Sequence, residues 1–366
     1  MSSENCVERK HFVLVHGACH GAWCWYKLKP GLECAGHKVT VLDLSACGIN
    51  LKKIEDVDTF LEYTEPLLQL LGTIPHNEKV VLVGHSHGGI NIALAMEKFP
   101  EKIAVGIFLT AFAPDIQHHP SYVLDKFQEI TPSADWLDTK FTPTGNKTLM
   151  LFGPKFLSNK LYQLSSVEDL ELVKTLARPT SLFTEDLSQQ KNFSKEGYGS
   201  VPRVFIVCTE DHAIPLDYQL WMIQNAGFND VLEIKGADHM AMISKPQEVS
   251  DSLHQIATKR NPISQYNERT PLSAWMETKF EPSGNKTSML FGPEILSNKL
   301  YQRSPVEDLE LDKSLDLAIP LEYQHWMIQN AAFNDVLGIN GADHMAMNSK
   351  PRELFDSLQK IATKYA

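Results

Sequence analysis

Short runs of apolar, largely β-branched residues alternate with longer amphipathic stretches along the first part of the chain. The runs His11–His16, Lys38–Leu44, Lys79–Gly84, Lys102–Leu109, Arg203–Thr209 and Asp230–Lys235 read as strands. A run as uniformly apolar as Val80–Val83 has no polar face, which predicts a sheet covered on both sides. Between the runs, apolar residues three and four apart predict helices over Ala22–Ala35, Asp56–Leu71, His87–Phe99, Pro215–Ala226 and Pro246–Thr258. Pro215 and Pro246 stand in first helical turns, where a missing N–H breaks no internal bond. The pattern predicts an α/β fold, a mostly parallel sheet with helices on both faces.

The alternation lapses between about Thr110 and Gly199, where Tyr122, Phe127, Trp136, Phe141, Phe152, Phe156, Tyr162 and Phe183 accumulate. About 90 residues are too many for a simple loop, so residues 110–199 are expected to form a helical cap over the sheet edge.

The pattern then repeats. Asp135–Leu176 matches Ala274–Leu315 at an offset of 139, with 30 of 42 positions identical, and Leu216–Lys259 matches Leu321–Lys364 at an offset of 105, with 33 of 44 identical. The offset falls by 139 − 105 = 34, so the later copy lacks the counterpart of Ala177–Glu210, which includes the strand Arg203–Thr209. This is a partial duplication; a solenoid would stack several units. It suggests a domain over 1–260 and a truncated, non-catalytic duplicate over 261–366.

Composition narrows the partners. The formal net charge of −11 and the lack of any strongly basic stretch argue against nucleic acid or an anionic membrane surface. No apolar run approaches the ~20 residues of a membrane span, and the first ten residues, MSSENCVERK, lack a secretory signal's apolar core. The six Cys form no CxxC pair, as expected of reduced thiols in a cytoplasmic protein.

The chemistry lies in VVLVGHSHGG, Val80–Gly89: a predicted strand, then G-x-S-x-G, then a predicted helix. Gly84 and Gly88 allow the sharp turn that lifts Ser86 clear of the sheet as a nucleophile. A serine hydroxyl needs a base, and the base needs an acid to orient it, each beyond a later strand. Glu210-Asp211 follow Arg203–Thr209, and Gly236-Ala237-Asp238-His239 follow Asp230–Lys235. His239 is the expected base and Asp211 the expected acid, with Glu210 its competitor and Asp238 a turn former. Backbone N–H groups of His87 and Ala18 are the expected oxyanion donors, with Gly17 leaving room beside them. The His87 side chain is expected at the pocket edge and Trp136 at the substrate. The clustered His16, His20, His85 and His87 come with no second carboxylate or Cys cluster, so no metal is expected.

HFVLVHGACHGAWCWYKLKP, the elbow Gly84–Gly89, EGYGSVPRVFIVCTED and GADHMAM together resemble the plant methylesterase family, which includes salicylate-binding esterases and polyneuridine aldehyde esterase and is related to hydroxynitrile lyases. The likeness runs from about His11 to Lys259. It implies an α/β-hydrolase fold with a cap, no cofactor, and hydrolysis of methyl salicylate, methyl jasmonate or methyl indole-acetate. On it Ser86, Asp211 and His239 map onto the triad, and Ala18 and His87 onto the oxyanion donors. The related lyases carry Thr at Gly17 and Lys at Met240, so these two substrate-facing positions favour an esterase over cyanohydrin cleavage. The chain departs from the family at His87, usually apolar, and at Gly31, usually a helix former. A hormone-binding module with negligible turnover is the alternative from another class.

GADHMAM recurs at Gly341–Met347. Asp316 matches Asp211, but the strand that would carry it is missing, and the second copy has no nucleophile. His239 is therefore expected to work and His344 to be idle, unless the second copy displaces the first. Self-association as a homodimer is a further role open to the extension.

Overall fold

A computed structural model of the protein describes residues 9–145, 147–258, 279–283, 286–290, 339, 346 and 350–365. The chain divides into two units, Met1–Pro262 and Ile263–Ala366.

In the first unit six strands form one sheet: β1 (His11–Val15), β2 (Lys38–Leu42), β3 (Val80–His85), β4 (Ile103–Leu109), β8 (Arg203–Cys208) and β9 (Asp230–Ile234). Their order is β2-β1-β3-β4-β8-β9 and every neighbouring pair is parallel. The chain leaves β1 for β2 on one side and comes back to β3 on the other. Loops at the carboxyl ends of β1 and β3 therefore diverge and open a crevice, where ligands bind in such sheets.

Both faces are covered. Val13, Val15, Val80 and Leu82 pack in one buried cluster with residues of α2 (Phe60–Thr73) and α3 (Gly88–Lys98). Phe12, alternating to the other side, meets His37 edge-on at 5.1 Å, and His37 bonds His254 of the helix Pro246–Thr258. That helix packs with α1 (Leu28–Cys34).

The expected helix Ala22–Ala35 is two pieces, a 3-10 turn at Ala22–Trp25 and then α1. Pro30 explains the break, because an α-helix running back through Tyr26 would push the Pro ring against that residue's carbonyl. Gly31 also has a reason: a Cβ there would lie 3.0 Å from Ser250 Oγ on the packed helix. The next helix begins at Phe60, four residues later than its expected start at Asp56, because Thr59 and Glu62 form a capping box.

The cap is not wholly helical. Besides α4 (Tyr122–Ile130) and Val167–Leu176, it holds an antiparallel sheet of β5 (Lys140–Thr144), β6 (Lys147–Leu151) and β7 (Thr180–Ser181). Pro143 sits in β5, an edge strand, the position where a missing ladder donor does no harm.

The second unit repeats a piece of this. Strands β10 (Lys279–Ser283) and β11 (Lys286–Leu290) pair with Lys279 opposite Leu290, as Lys140 pairs with Leu151, the offset being 279 − 140 = 139. A helix runs over Pro351–Tyr365, its start 351 − 246 = 105 residues beyond Pro246. Asp316 and His344 lie outside the described residues. Among the described residues no helix is long and apolar enough to cross a membrane.

Candidate active site

Ser86 follows β3 with φ +56°, a left-handed conformation costly for any residue with a Cβ. Its carbonyl accepts the N–H of Gly89 and of Phe112, at 3.0 and 2.9 Å, which fixes the turn. The glycines around it are spatial necessities. A Cβ on Gly84 would lie 2.7 Å from Gly88 O, one on Gly88 2.6 Å from His16 O, and one on Gly89 2.2 Å from Phe112 O. α3 can start directly under the serine only because these contacts carry no side chain.

His239 follows β9, and its Nδ1–H donates to Asp211 Oδ2 at 2.7 Å. That bond leaves the Nε2 lone pair free, the form a general base needs. The ring lies beside the elbow: its centroid is 4.6 Å from that of His85, the residue before Ser86. His85 Nε2–H in turn donates to the His239 carbonyl at 2.8 Å. Burial holds the His85 imidazole well below its usual proton affinity, so it stays neutral.

Asp211 follows β8 and is buried. Its Oδ1 accepts the N–H of Ala213 and Ile214 at 2.7 and 2.8 Å, and its Oδ2 accepts the Thr110 hydroxyl at 2.5 Å as well as His239. Four donors on one carboxylate hold it in place. Glu210 is exposed, and its backbone carbonyl serves Gln163 Nε2 of the cap. The carboxylate brought to His239 is that of Asp211.

Gly17 and Ala18 follow β1. A Cβ on Gly17 would stand 2.7 Å from Ser86 Cβ and 3.2 Å from its Oγ, so only glycine leaves the hydroxyl clear. Among the described hydrogen bonds neither the Ala18 nor the His87 N–H has a protein acceptor. The His87 N–H belongs to the residue capping α3, where helix geometry leaves amides unpaired.

The His87 side chain does not edge an open pocket. It is buried against Phe60 and Tyr63 and meets the Leu182 carbonyl of the cap at 3.3 Å, and burial lowers its proton affinity to about 4. Trp136 is half-buried, stacked on Phe156 at 5.6 Å, and packs against the small cluster of Ala18, Cys19 and Met150. Met240 is wholly buried. Asp238 is more than a turn former: it accepts the Leu164 N–H of the cap and the Ser244 hydroxyl, at 3.0 and 2.6 Å.

Thr110 escaped the sequence reading. The signal was its place directly after β4, the carboxyl end of a strand beside β8, where site residues gather. Among the described residues no three His, Cys, Asp or Glu converge as metal ligands would.

The model of the alpha/beta hydrolase family matches residues 12–252. Salicylic acid-binding protein 2 of Nicotiana tabacum is 58% identical over 258 residues, 69% of this chain and 99% of that protein. Methylesterase 1 of Arabidopsis thaliana is 58% identical over 263 residues, 71% of this chain and 99% of the relative. The crystal structure of polyneuridine aldehyde esterase superposes with a TM-score of 0.67 at 50% identity, covering 68% of this chain and all of the other. The chain belongs to the α/β-hydrolase family and, within it, to the plant methylesterases.

Proposed function

We propose that the first unit is a serine carboxylesterase that removes methanol from small methyl esters, with Ser86 as nucleophile, His239 as base and Asp211 as its orienting acid. The observation that carries this reading is the buried bond from His239 Nδ1–H to Asp211 Oδ2, with His239 packed beside the serine elbow. In the reaction His239 Nε2 takes the Ser86 proton as the hydroxyl attacks the ester carbonyl. The oxyanion is met by the Ala18 and His87 N–H groups. His239 then protonates the methoxide, methanol leaves, and a water activated by the same imidazole frees the acid and restores Ser86. Every step is a proton transfer or an acyl transfer, so no cofactor is called for.

The relatives named above support methyl esters of plant-hormone acids as substrates, with methyl salicylate, methyl jasmonate and methyl indole-acetate the first to try. Gly17 leaves the space above Ser86 open to an ester, and uncharged Met240 offers nothing to a departing cyanide, which supports hydrolysis over carbon–carbon cleavage. Trp136, next to the Ala18 cluster, is our candidate for contact with the acyl group. The five described cysteines are free thiols, in keeping with the reducing cytoplasm. We assign the second unit no part in the reaction, because it lacks a counterpart of β8 and of Ser86.

Purified protein should hydrolyse a panel of these methyl esters, and Ser86→Ala and His239→Ala should each lower kcat by about 10³-fold or more, since the three groups act as a unit. A tenth of the wild-type kcat remaining in either variant would sink the assignment.

A further inference from the structure

Three successive backbone carbonyls of the loop after β1 are each held by a named donor. Leu44 N–H donates to His16 Nε2 at 3.2 Å, so the His16 hydrogen is on Nδ1, which donates to the Gly17 carbonyl at 2.8 Å. His20 Nδ1 lies 2.8 Å from the Ala18 carbonyl; a carbonyl only accepts, so this nitrogen also carries its hydrogen. His20 Nε2 is then bare and accepts the Tyr162 hydroxyl of the cap at 2.8 Å. The Cys19 carbonyl accepts the Arg178 N–H, again from the cap, at 3.2 Å. Cys19 itself has φ +60°, a conformation that persists only where the surroundings impose it.

The cap segment that bears Tyr162 touches the other loops too. Gln163 Nε2 donates to the Glu210 carbonyl at 2.6 Å, beside Asp211, and Leu164 N–H to Asp238 at 3.0 Å, beside His239. His212 Nδ1 meets the Asn159 carbonyl at 3.2 Å.

We propose that Tyr162 is a positioning residue for the reaction: by donating to His20 Nε2 it fixes the His20 tautomer and ring, and through the Ala18 carbonyl it anchors the peptide plane adjoining the Ala18 N–H that meets the oxyanion. This rests on the esterase reading above. The Ala18 N–H shares a planar peptide group with the Gly17 carbonyl that His16 holds, and His20 holds the carbonyl of the next peptide, so both planes that meet at the Ala18 Cα are anchored and the N–H has no freedom to turn. Remove the Tyr162 hydroxyl and His20 Nε2 is left without a donor inside a buried site. The ring can then rotate or exchange its hydrogen between nitrogens, and the Ala18 carbonyl loses its anchor. Burial takes the His20 proton affinity down to about 3, so the neutral form this arrangement needs is the one present at working pH. The consequence is that a seated cap and a competent oxyanion site are one state.

The test is a double-mutant cycle on full-length protein with Tyr162→Phe and His20→Asn. The asparagine amide can reach the Ala18 carbonyl from the place of Nδ1 but has no group at the place of Nε2. A missing oxyanion donor costs 10²–10³-fold, and a misdirected one should cost about 10-fold. Tyr162→Phe alone should therefore lower kcat and the affinity for a trifluoromethyl ketone, which forms an oxyanion on the serine, each by about 10-fold, with KM and product-acid affinity held within about twofold. In the His20→Asn background the same change should have less than about a twofold effect on kcat. An equal loss in both backgrounds, or a loss that appears in KM and melting temperature but not in ketone affinity, would mean that the hydroxyl is only structural and overturns the proposal. Hydrolysis that survives Ser86→Ala would overturn the esterase reading itself; hydrolysis that needs Ser86 but ignores Tyr162 overturns only the coupling.

Discussion

Replacing His87 with Phe should invert the order of stability between pH 7 and pH 5. The imidazole is buried against Phe60 and Tyr63, its Nε2–H meets the Leu182 carbonyl, and its Nδ1 has no partner among the described residues. Burial lowers its proton affinity from 6.5 to about 4. Between those values the unfolded chain binds the proton and the folded chain does not, so stability falls as the pH falls. The loss is about 1.4 kcal/mol per pH unit well below 6.5, or about 2 kcal/mol accumulated by pH 5 and little at pH 7. Phe binds no proton but leaves the Leu182 carbonyl without its donor, a cost of about 1 kcal/mol at either pH. The variant should thus be about 1 kcal/mol less stable at pH 7 and about 1 kcal/mol more stable at pH 5, the two curves crossing near pH ~6. Urea unfolding followed by tryptophan fluorescence at several pH values measures this. If His87→Phe loses as much stability as the wild type on going from pH 7 to 5, the shielding argument is wrong. Since the group we propose as oxyanion donor at this position is a backbone N–H, kcat/KM at pH 7 should stay within about threefold.

Thr110→Val removes one donor from the carboxylate that bonds His239; a bond to a charged group contributes about 1.5–3 kcal/mol, so kcat should fall about 10–150-fold with KM unchanged in steady-state assays. Asp211→Asn should abolish turnover by about 10³-fold or more while Glu210→Gln stays within about twofold, and the reverse order would move the acid to Glu210. Ser250→Phe imports the residue that the second copy carries as Phe355, and in the tight contact with Gly31 it should cost about 1–3 kcal/mol by overpacking, read as a lower urea midpoint. A neutral result there would reopen the exchange of the Pro351–Tyr365 helix for Pro246–Thr258, which this contact otherwise disfavours.

The sheet was legible because its inner strands are buried on both faces. Nothing but an unbroken apolar run can fill such a place, and β1 and β3 are buried end to end. The turn at Ser86 was legible because it needs glycines on both sides, and the places of Asp211 and His239 follow from the carboxyl ends of β8 and β9. The cap was harder. Its exposed strand β5 shows no apolar face to count, although Gly145-Asn146 between Lys140–Thr144 and Lys147–Leu151 is a two-residue hairpin signal that could have been read. The histidines around the site were illegible for another reason. His16, His20, His85 and His87 each bind a backbone carbonyl, and which carbonyl is decided by tertiary approach rather than by spacing. The fate of the second GADHMAM rests on sequence alone, because His344 lies outside the described residues.

Burst kinetics read out whether each chain holds one serine-dependent site contained in the first unit. p-Nitrophenyl acetate mixed rapidly with full-length protein, with a chain ending after Pro262 and with Ser86→Ala should separate the cases. One equivalent of p-nitrophenol should be released per chain in the burst for the first two proteins, and none for Ser86→Ala. A burst that persists in Ser86→Ala, or one that vanishes when residues 263–366 are removed from a chain that still folds, would contradict that placement.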